Sequence, residues 1–171
     1  GVEQQHALLR CRLDRHAVQV GYTWQSGSSA RQRMAVVSST ALSGPAVSAL
    51  VQAVAEASYV YTTTKSKAEV RALVRCVVGV FDVIKVRSAF DEGVALVAGV
   101  EFAREWGNRP ANHATPTMLA EAAKSLAKQP RMQCKVHGPA EVAKLGMGSF
   151  MAVAQGSDQP LRFIVLRYTG A

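Results

Sequence analysis

Residues 91–127 read DEGVALVAGVEFAREWGNRPANHATPTMLAEAAKSLA and predict two helices separated by a sharp turn. Two acids open the stretch, which suits the positive end of a helix dipole. Residues 94–100 carry no charge, so the first helix, residues 92–106, is predicted to be buried. Gly107 is suited to cap its C-terminal end, and Pro110 prevents the helix from continuing.

A hydroxyl and a proline begin the second helix. Thr115 is a good N-cap residue, and Pro116 would occupy the first helical position, where proline is tolerated. Pro130 marks the end of the helix. Its buried face is predicted to contain the residues at helical spacing, Met118, Leu119, Ala122, Ala123 and Leu126.

Short apolar segments follow these two helices. Residues 132–136 and 162–168 have the composition of strands, and the second of them, RFIVLRY, is the clearest strand in the sequence. Between them lie a short helix over residues 139–145, closed by Gly146, and residues 150–154, which are predicted to pack in the core. Because strands alternate with helices, the second half predicts an α/β fold with a largely parallel sheet.

The first half of the chain predicts the same alternation. Residues 34–38 are typical of a buried strand, and residues 76–80 are rich in valine and predict another. Between them, Ser43 can cap a helix whose apolar positions keep helical spacing up to residue 58. Residues 1–33 are compatible with either a strand or a helix. The predicted fold class of the whole chain is therefore α/β.

Composition excludes several classes of protein. The chain has 171 residues, of which 49% are hydrophobic and 19% charged, and this fits one large domain or two small ones rather than a disordered chain. No apolar run reaches the roughly 18 residues that a membrane helix needs, and the first residues lack the apolar core of a secretory signal. Cys11, Cys76 and Cys134 are widely spaced and odd in number, which predicts three reduced thiols in a cytoplasmic protein.

The net charge of +8 is concentrated in the first half of the chain. Residues 1–90 hold 11 basic and 5 acidic side chains, a net charge of +6, whereas residues 91–171 hold 9 and 7, a net charge of +2. Such an excess can attract nucleic acid. The basic residues form small groups with no run of five, which favours an ordinary solvated surface, and no nucleic-acid-binding motif is present.

The sequence contains no self-contained catalytic or metal-binding motif. The four histidines, at positions 6, 16, 113 and 137, include no pair at i, i+4 and no HExxH motif. Gly148-Ser149-Phe150 lacks the pattern of a nucleophile elbow, and the glycines around it lack the spacing of a P-loop. Asp91 and Glu92 are predicted to serve the start of a helix. No catalytic residue and no metal ligand is therefore predicted, and the substrate-binding residues stay unknown.

Several motifs, taken in order, resemble the leucyl aminopeptidase family of metallopeptidases. They are the helix of residues 92–106, an Asn-x-Pro-x-Asn loop (Asn108, Pro110, Asn112), Thr115-Pro116 with its alanine-rich helix, Leu145-Gly-Met-Gly148, Ala152-Val-Ala-Gln-Gly-Ser157, and a strand ending Tyr168-Thr-Gly170. Residues 90–171 carry this resemblance. Residues 43–90 are similar to a lesser degree, and residues 1–42 do not align.

The resemblance implies a cytoplasmic, homohexameric exopeptidase that removes N-terminal residues, with leucine favoured, by means of two divalent metal ions, Mn or Zn, in each subunit. It further implies an N-terminal α/β domain similar to the macro fold over residues 1–90, a linking helix over residues 91–109, and the beginning of a catalytic α/β domain over residues 110–171. The metal-ligand motifs of the family, among them Asn-Thr-Asp-Ala-Glu-Gly-Arg, are absent from this sequence.

Two hypotheses follow from the resemblance and the missing motifs. In the first, the chain is the N-terminal, non-catalytic portion of a leucyl aminopeptidase-like metallopeptidase, and its partners are the remainder of the catalytic domain and other copies in a homo-oligomer. In the alternative, it is a catalytically inactive paralogue that acts as a structural or nucleic-acid-binding subunit of a larger assembly. Under both hypotheses, no metal is expected in this chain alone and no membrane is a partner.

Overall fold

A computed structural model describes residues 7–12, 32–38, 40–68 and 71–170, and the chain divides into two compact units between Asn108 and Arg109. Within these residues, the first unit contains β1 (Ala7–Arg12), β2 (Gln32–Val37), α1 (Gly44–Ser58), β3 (Leu73–Val80) and α2 (Val83–Gly107). The second contains a 3₁₀ turn (Ala111–His113), α3 (Pro116–Leu126), β4 (Met132–His137), α4 (Pro139–Lys144), α5 (Gly148–Ala154) and β5 (Phe163–Tyr168). The predicted α/β class is confirmed.

The sheet of the first unit is mixed and has β3 at its centre. The strand order is β1-β3-β2, with β1 antiparallel and β2 parallel to β3. Cys76 to Val80 are all buried, so the strand predicted over residues 76–80 is confirmed, and it begins three residues earlier than predicted. The strand predicted over residues 34–38 also forms, but it is not buried. Val37 is 55% exposed because β2 lies at an edge of the described sheet.

Helix α1 begins and ends where local sequence signals place it. The Ser43 hydroxyl accepts a hydrogen bond from the backbone N–H of Ala46 at 3.3 Å, and Pro45 lies in the first turn. Val47, Val51 and Ala55 are buried at i, i+4 and i+8, as expected for one face of a helix. The helix stops before Tyr59, which has an extended backbone.

Helix α2 begins eight residues before the predicted acids. Its N-cap is Asp82, whose carboxylate accepts hydrogen bonds from the backbone N–H groups of Ile84 at 3.1 Å and Lys85 at 3.3 Å. The prediction that Asp91 and Glu92 open this helix was wrong, because the cap at Asp82 starts the helix earlier in the chain. Asp91 instead lies within the helix and forms an ion pair with Arg87, four residues earlier, at 2.8 Å.

The core of the first unit lies where α1 and α2 pack on β3. The buried cluster consists of Val47, Val51, Val78, Val80, Val86 and Phe90. The two helices approach closely at Gly93, which is buried. A Cβ atom at this position would lie 3.0 Å from the Ser48 hydroxyl oxygen and 3.1 Å from the Ser48 Cα. A glycine is therefore needed at this crossing.

The second half of α2 is not buried, contrary to the prediction. Beyond Gly93, Leu96 is 49% exposed, Val100 47% and Phe102 38%. An uncharged run predicts a buried helix, but among the described residues of the first unit α1 and the sheet cover one face of α2. A long apolar face of α2 therefore remains accessible to solvent.

In the second unit, β4 and β5 pair antiparallel, with Cys134 opposite Leu166. The prediction of a largely parallel sheet here was wrong. Residues 138–162 connect the two strands, and this is long enough for either direction, because a parallel crossover needs only about a dozen residues or more. Helix–strand alternation predicted the elements but not their direction.

Burial within the second unit is limited. Among the described residues after 108, Ala120, Ala123, His137 and Val142 are buried. Thr115 caps α3 as predicted, with its hydroxyl 3.3 Å from the Met118 N–H. The predicted buried face of α3 was wrong in part, because Met118 and Leu119 are exposed while Ala120 is buried. Residues 150–154 form α5 rather than core, with Phe150 38% and Val153 84% exposed.

The turn between α4 and α5 follows the predicted glycine pattern. Helix α4 ends with Leu145 as its C-cap, and Gly146 has a φ of 69°, in the left-handed region that favours glycine. No helix among the described residues is both long and apolar enough to cross a membrane.

Candidate functional site

Arg71 bonds to residues of both helices of the first unit. Its Nη2 donates to the Ala55 carbonyl at 3.0 Å and to the Ser58 hydroxyl at 2.8 Å, and its Nε also donates to Ser58, at 3.2 Å. The same Nη2 lies 2.8 Å from a carboxylate oxygen of Glu101 on α2. Both side chains of this ion pair are mostly shielded from solvent, with 16% and 31% exposure. Arg71 thus connects the end of α1 to the middle of α2.

A shallow groove lies between α1 and α2 next to this ion pair. Its volume is about 170 Å³, and it is lined by Gln52, Ala55, Glu56, Val97, Val100, Glu101 and Arg104. The floor is aliphatic and the rim carries two carboxylates and one guanidinium. The lining contains no thiol, hydroxyl or imidazole. The groove can accept an apolar group beside the carboxylates of Glu56 and Glu101.

The segment that follows α1 is bonded to the last turns of α2. The guanidinium carbon of Arg104 lies 4.1 Å from the centre of the Tyr59 ring, a cation–π contact. Asn108 donates to the Tyr59 hydroxyl at 3.4 Å, and the Thr63 hydroxyl donates to the Glu105 carboxylate. The polar residues that end α2 therefore hold the segment that follows α1 in place.

The loop after residue 108 is exposed and carries most of the Asn-x-Pro-x-Asn motif. Pro110, Asn112 and His113 are all exposed, and Arg109 donates weakly to the His113 carbonyl at 3.5 Å. The 3₁₀ turn over Ala111–His113 delivers the chain to the Thr115 cap. His113 lies on this turn.

His137 is the one buried polar side chain among the described residues, and its burial was not predicted from the sequence. Its ring stacks on Phe163 with 5.8 Å between centroids, and Phe150 meets Phe163 edge-on at 5.9 Å. Its Nδ1 lies 3.7 Å from a carboxylate oxygen of Glu141, which also accepts the Gly138 N–H at 3.1 Å. The histidine therefore joins β4 and β5 to the start of α4. Its pairing with an aromatic residue 26 positions later gave no local signal in the sequence.

The remaining cysteines and serine discussed above lie within regular strands or helices. Cys76 is buried and Cys134 is half-buried. Ser149 is exposed in the first turn of α5. His6 and His16 lie outside the described residues, as does the Gly-Ser-Ser segment at 27–29.

The carboxylates of the family-like half do not converge. Asp91 pairs with Arg87, Glu101 with Arg71, Glu121 with Lys124 and Glu141 with the start of α4. A two-metal site needs several such groups directed at two ions about 3.5–4 Å apart. No group of three or more histidine, cysteine or acidic side chains in the described part of the chain could hold a metal ion. The described residues therefore do not fit a two-metal centre, and no reaction step can be assigned to one here.

Basic side chains of the first unit are also engaged in pairs. Arg71 and Arg87 bond carboxylates, and Lys85 lies 3.5 Å from the Asp82 carboxylate. These three basic side chains are paired with acids that the net charge of the chain already includes.

Comparison with known proteins assigns the chain to a family. A sequence model described as the cytosol aminopeptidase family, catalytic domain, matches residues 101–171. A probable cytosol aminopeptidase of Verminephrobacter eiseniae (strain EF01-2) is 67% identical over 140 residues, which are 82% of this chain and 27% of that protein. The corresponding protein of Acidovorax sp. (strain JS42) is 56% identical over 168 residues, 96% of this chain and 34% of that protein.

Solved structures agree with these relatives. The bottromycin maturation enzyme BotP in complex with Mn has a TM-score of 0.63 and 27% sequence identity, and the match covers 74% of this chain and 26% of BotP. The chain spans about a quarter to a third of the length of the proteins that it matches. It belongs to the cytosol aminopeptidase family and corresponds to an N-terminal portion of the members of that family.

Proposed function

We propose that this chain is the non-catalytic portion of a cytoplasmic leucyl aminopeptidase-like metallopeptidase that removes N-terminal residues from peptides. One observation carries the proposal: residues 101–171 match the catalytic domain of the family, yet their carboxylates form ion pairs and a helix cap within this chain. In this proposal, the metal ligands and catalytic groups come from parts of the protein outside this sequence.

The role of the chain is to support the domain that carries those groups. The first unit has a closed core, and residues 59–64 and Arg71 hold α2 against it. The second unit offers β4, β5 and α3, whose exposed apolar side chains are suited to packing against further strands and helices of the catalytic domain. The complete enzyme would assemble as a hexamer and use two divalent ions per subunit, and the manganese in the BotP complex supports that choice of metal.

An activity assay tests this proposal. The 171-residue chain and a longer protein in which it is followed by the remaining length of a relative would both be purified and incubated with leucine amide and Mn²⁺. We expect turnover by the longer protein and none by the 171-residue chain, and circular dichroism would establish that both are folded. Metal-dependent turnover by the 171-residue chain would contradict the proposal.

The same assay addresses the inactive-paralogue alternative. The longer protein should be made from the residues that the natural gene encodes around this chain, with the Acidovorax relative as a positive control. If the relative is active and the natural protein is folded but inactive, the chain belongs to a non-catalytic paralogue.

A further inference from the structure

The two helices of the first unit run in the same direction and stay in step. Near the start of α1, Gly93 of α2 approaches Ser48, and just beyond the end of α1, Arg104 lies over the ring of Tyr59. Both contacts join residues that are 45 positions apart in the sequence. The groove between the two helices lies between these two contacts.

The floor of this groove is aliphatic, and its size suits a small molecule. Ala55 of α1 has a small side chain and leaves space beside Val97 and Val100 of α2. The volume is about 170 Å³, and an apolar cavity of about 150 Å³ holds one benzene molecule. Drug-sized ligands need roughly 300–1,000 Å³. The groove therefore suits a ligand with a short aliphatic body.

Two charged side chains of the lining have no ion-pair partner among the described residues. They are Glu56, which is exposed two residues before the end of α1, and Arg104, which is half-buried on α2. The third, Glu101, is already paired with Arg71 at 2.8 Å. One carboxylate and one guanidinium therefore line the same groove without neutralising each other.

Each of these two side chains is suited to bind one kind of charged group. Glu56 lies near the C-terminal end of α1, where the helix dipole also favours a cation such as an ammonium group. The guanidinium carbon of Arg104 is 4.1 Å from the centre of the Tyr59 ring. A guanidinium held over a ring keeps its in-plane N–H groups, which donate well to a carboxylate.

We propose that the groove between α1 and α2 is a binding site for a free aliphatic amino acid such as leucine. The ammonium group of the ligand binds Glu56, its carboxylate binds Arg104, and its side chain lies on Val97 and Val100. An amino acid carries both charged groups on one carbon and so bridges the two side chains. A simple alkylamine or a short fatty acid leaves one of them unpaired.

A titration followed by NMR tests the site with leucine as the probe. The folded 171-residue chain, with isotope-labelled backbone amides and valine methyl groups, would be titrated to about 20 mM, because a ligand of about nine non-hydrogen atoms in an open groove should have a Kd on the order of 1 mM. We expect saturable shifts of the Val97 and Val100 methyl signals and of the amide signals of residues 52–56 and 100–104.

Three partial ligands separate the contributions of the three groups. 4-Methylpentanoate lacks the ammonium group of leucine, 3-methylbutylamine lacks the carboxylate, and glycine lacks the aliphatic side chain. Each should bind about fivefold more weakly than leucine or worse. Leucine amide has no free carboxylate and should be weakened like 3-methylbutylamine, which distinguishes a free amino acid from the N-terminus of a peptide.

Two variants assign the charged groups of the ligand to their side chains. Glu56→Gln should weaken leucine about fivefold but should not weaken 4-methylpentanoate, which has no ammonium group. Arg104→Gln should weaken leucine but not 3-methylbutylamine, and retained binding of the amine shows that the groove is intact. The matched control is Glu92→Gln, which removes an exposed carboxylate of α2 outside the groove and should leave leucine binding unchanged.

Several results would overturn the proposal. They are the absence of saturable shifts at Val97 and Val100, equal affinity for leucine and for any of the partial ligands or leucine amide, and an equal loss of leucine binding in Glu56→Gln and Glu92→Gln. Binding is measured on the 171-residue chain, for which no turnover is expected. A failure of this proposal is therefore distinct from a failure of the proposed function.

Discussion

In the first unit, five consecutive residues of β3 and one face of each helix are buried, whereas only Ala120, Ala123, His137 and Val142 are buried among the described residues of the second unit. The two units have similar local structure, with capped helices and regular strand pairs. They differ in what covers their apolar surface. In the second unit, Val153, Val165, Leu166 and Tyr168 are each at least 40% exposed.

This difference shows that a sequence can form regular secondary structure without forming a closed hydrophobic core. A two-stranded sheet has too little surface to bury both of its faces, and small sheets need further strands or helices for stability. The first unit meets that need with α1 and α2. The second is expected to gain its cover from additional parts of the catalytic domain, in line with the proposed function.

The largest change in stability is expected from Phe90→Ala in the first unit. Phe90 has no exposed surface at the centre of the core, and its truncation should lower the free energy of unfolding by about 3–5 kcal/mol. The two tryptophans of the chain, Trp24 and Trp106, precede residue 109, so tryptophan fluorescence during urea unfolding reports on the first unit.

Phe102→Ala is the matched control, because it removes the same side chain from the exposed part of the same helix. We expect a loss below about 1.5 kcal/mol, since Phe102 lies outside the buried cluster and 38% of its surface is already solvated. Equal losses at the two positions would mean that the exposed half of α2 is covered in solution.

A smaller effect is expected from Val142→Ala in the second unit. Val142 is fully buried, and removal of its two methyl groups should cost about 2 kcal/mol. Amide hydrogen exchange of β4 and β5 is the suitable measurement, because the second unit contains no tryptophan. A loss of this size corresponds to roughly 30-fold faster exchange.

The control for this substitution is Val153→Ala, at a residue that is 84% exposed. It should change stability by less than about 0.5 kcal/mol. If both variants leave exchange unchanged, then the second unit has no cooperative core at all, and the contrast between the two units is even greater than the burial suggests.

The smallest of the three effects concerns the turn after α4. Gly146→Ala places a Cβ atom on a residue with a φ of 69° and should destabilise the turn by about 1–2 kcal/mol. Gly148→Ala is the control in the same turn, because Gly148 begins α5 and has no positive φ. Exchange at Leu145 to Met147 should accelerate in the first variant alone, and acceleration in both would mean that the turn responds to side-chain bulk and not to backbone conformation.

Local signals in the sequence predicted local structure well. Ser43, Thr115 and Gly146 each act within one helical turn, and each occupies its predicted cap or turn position. The predictions that were wrong concern features that depend on residues far away in the sequence. Whether Leu96 is buried depends on which elements reach α2, and the direction of β5 depends on the path of residues 138–162.

The same limit applies to the residues that form the site. Glu101 and Arg71 are 30 positions apart, and His137 stacks on Phe163, 26 positions later in the sequence. Neither pair has a spacing that a motif could have revealed. The family resemblance, in contrast, could be predicted because its motifs are contiguous, and the matches to known proteins confirm it.

The bonds of Arg71 have a consequence for the order in which the chain is made. Helix α1 ends at Ser58 without a C-terminal glycine, and Arg71 supplies donors to its last carbonyl and hydroxyl groups. During synthesis, these contacts at the end of α1 cannot form until Arg71 has been made, 13 residues after Ser58. Glu101, the ion-pair partner of Arg71, follows 30 residues later still. At roughly 5–20 residues per second, about two to nine seconds therefore pass between the synthesis of Ser58 and that of Glu101.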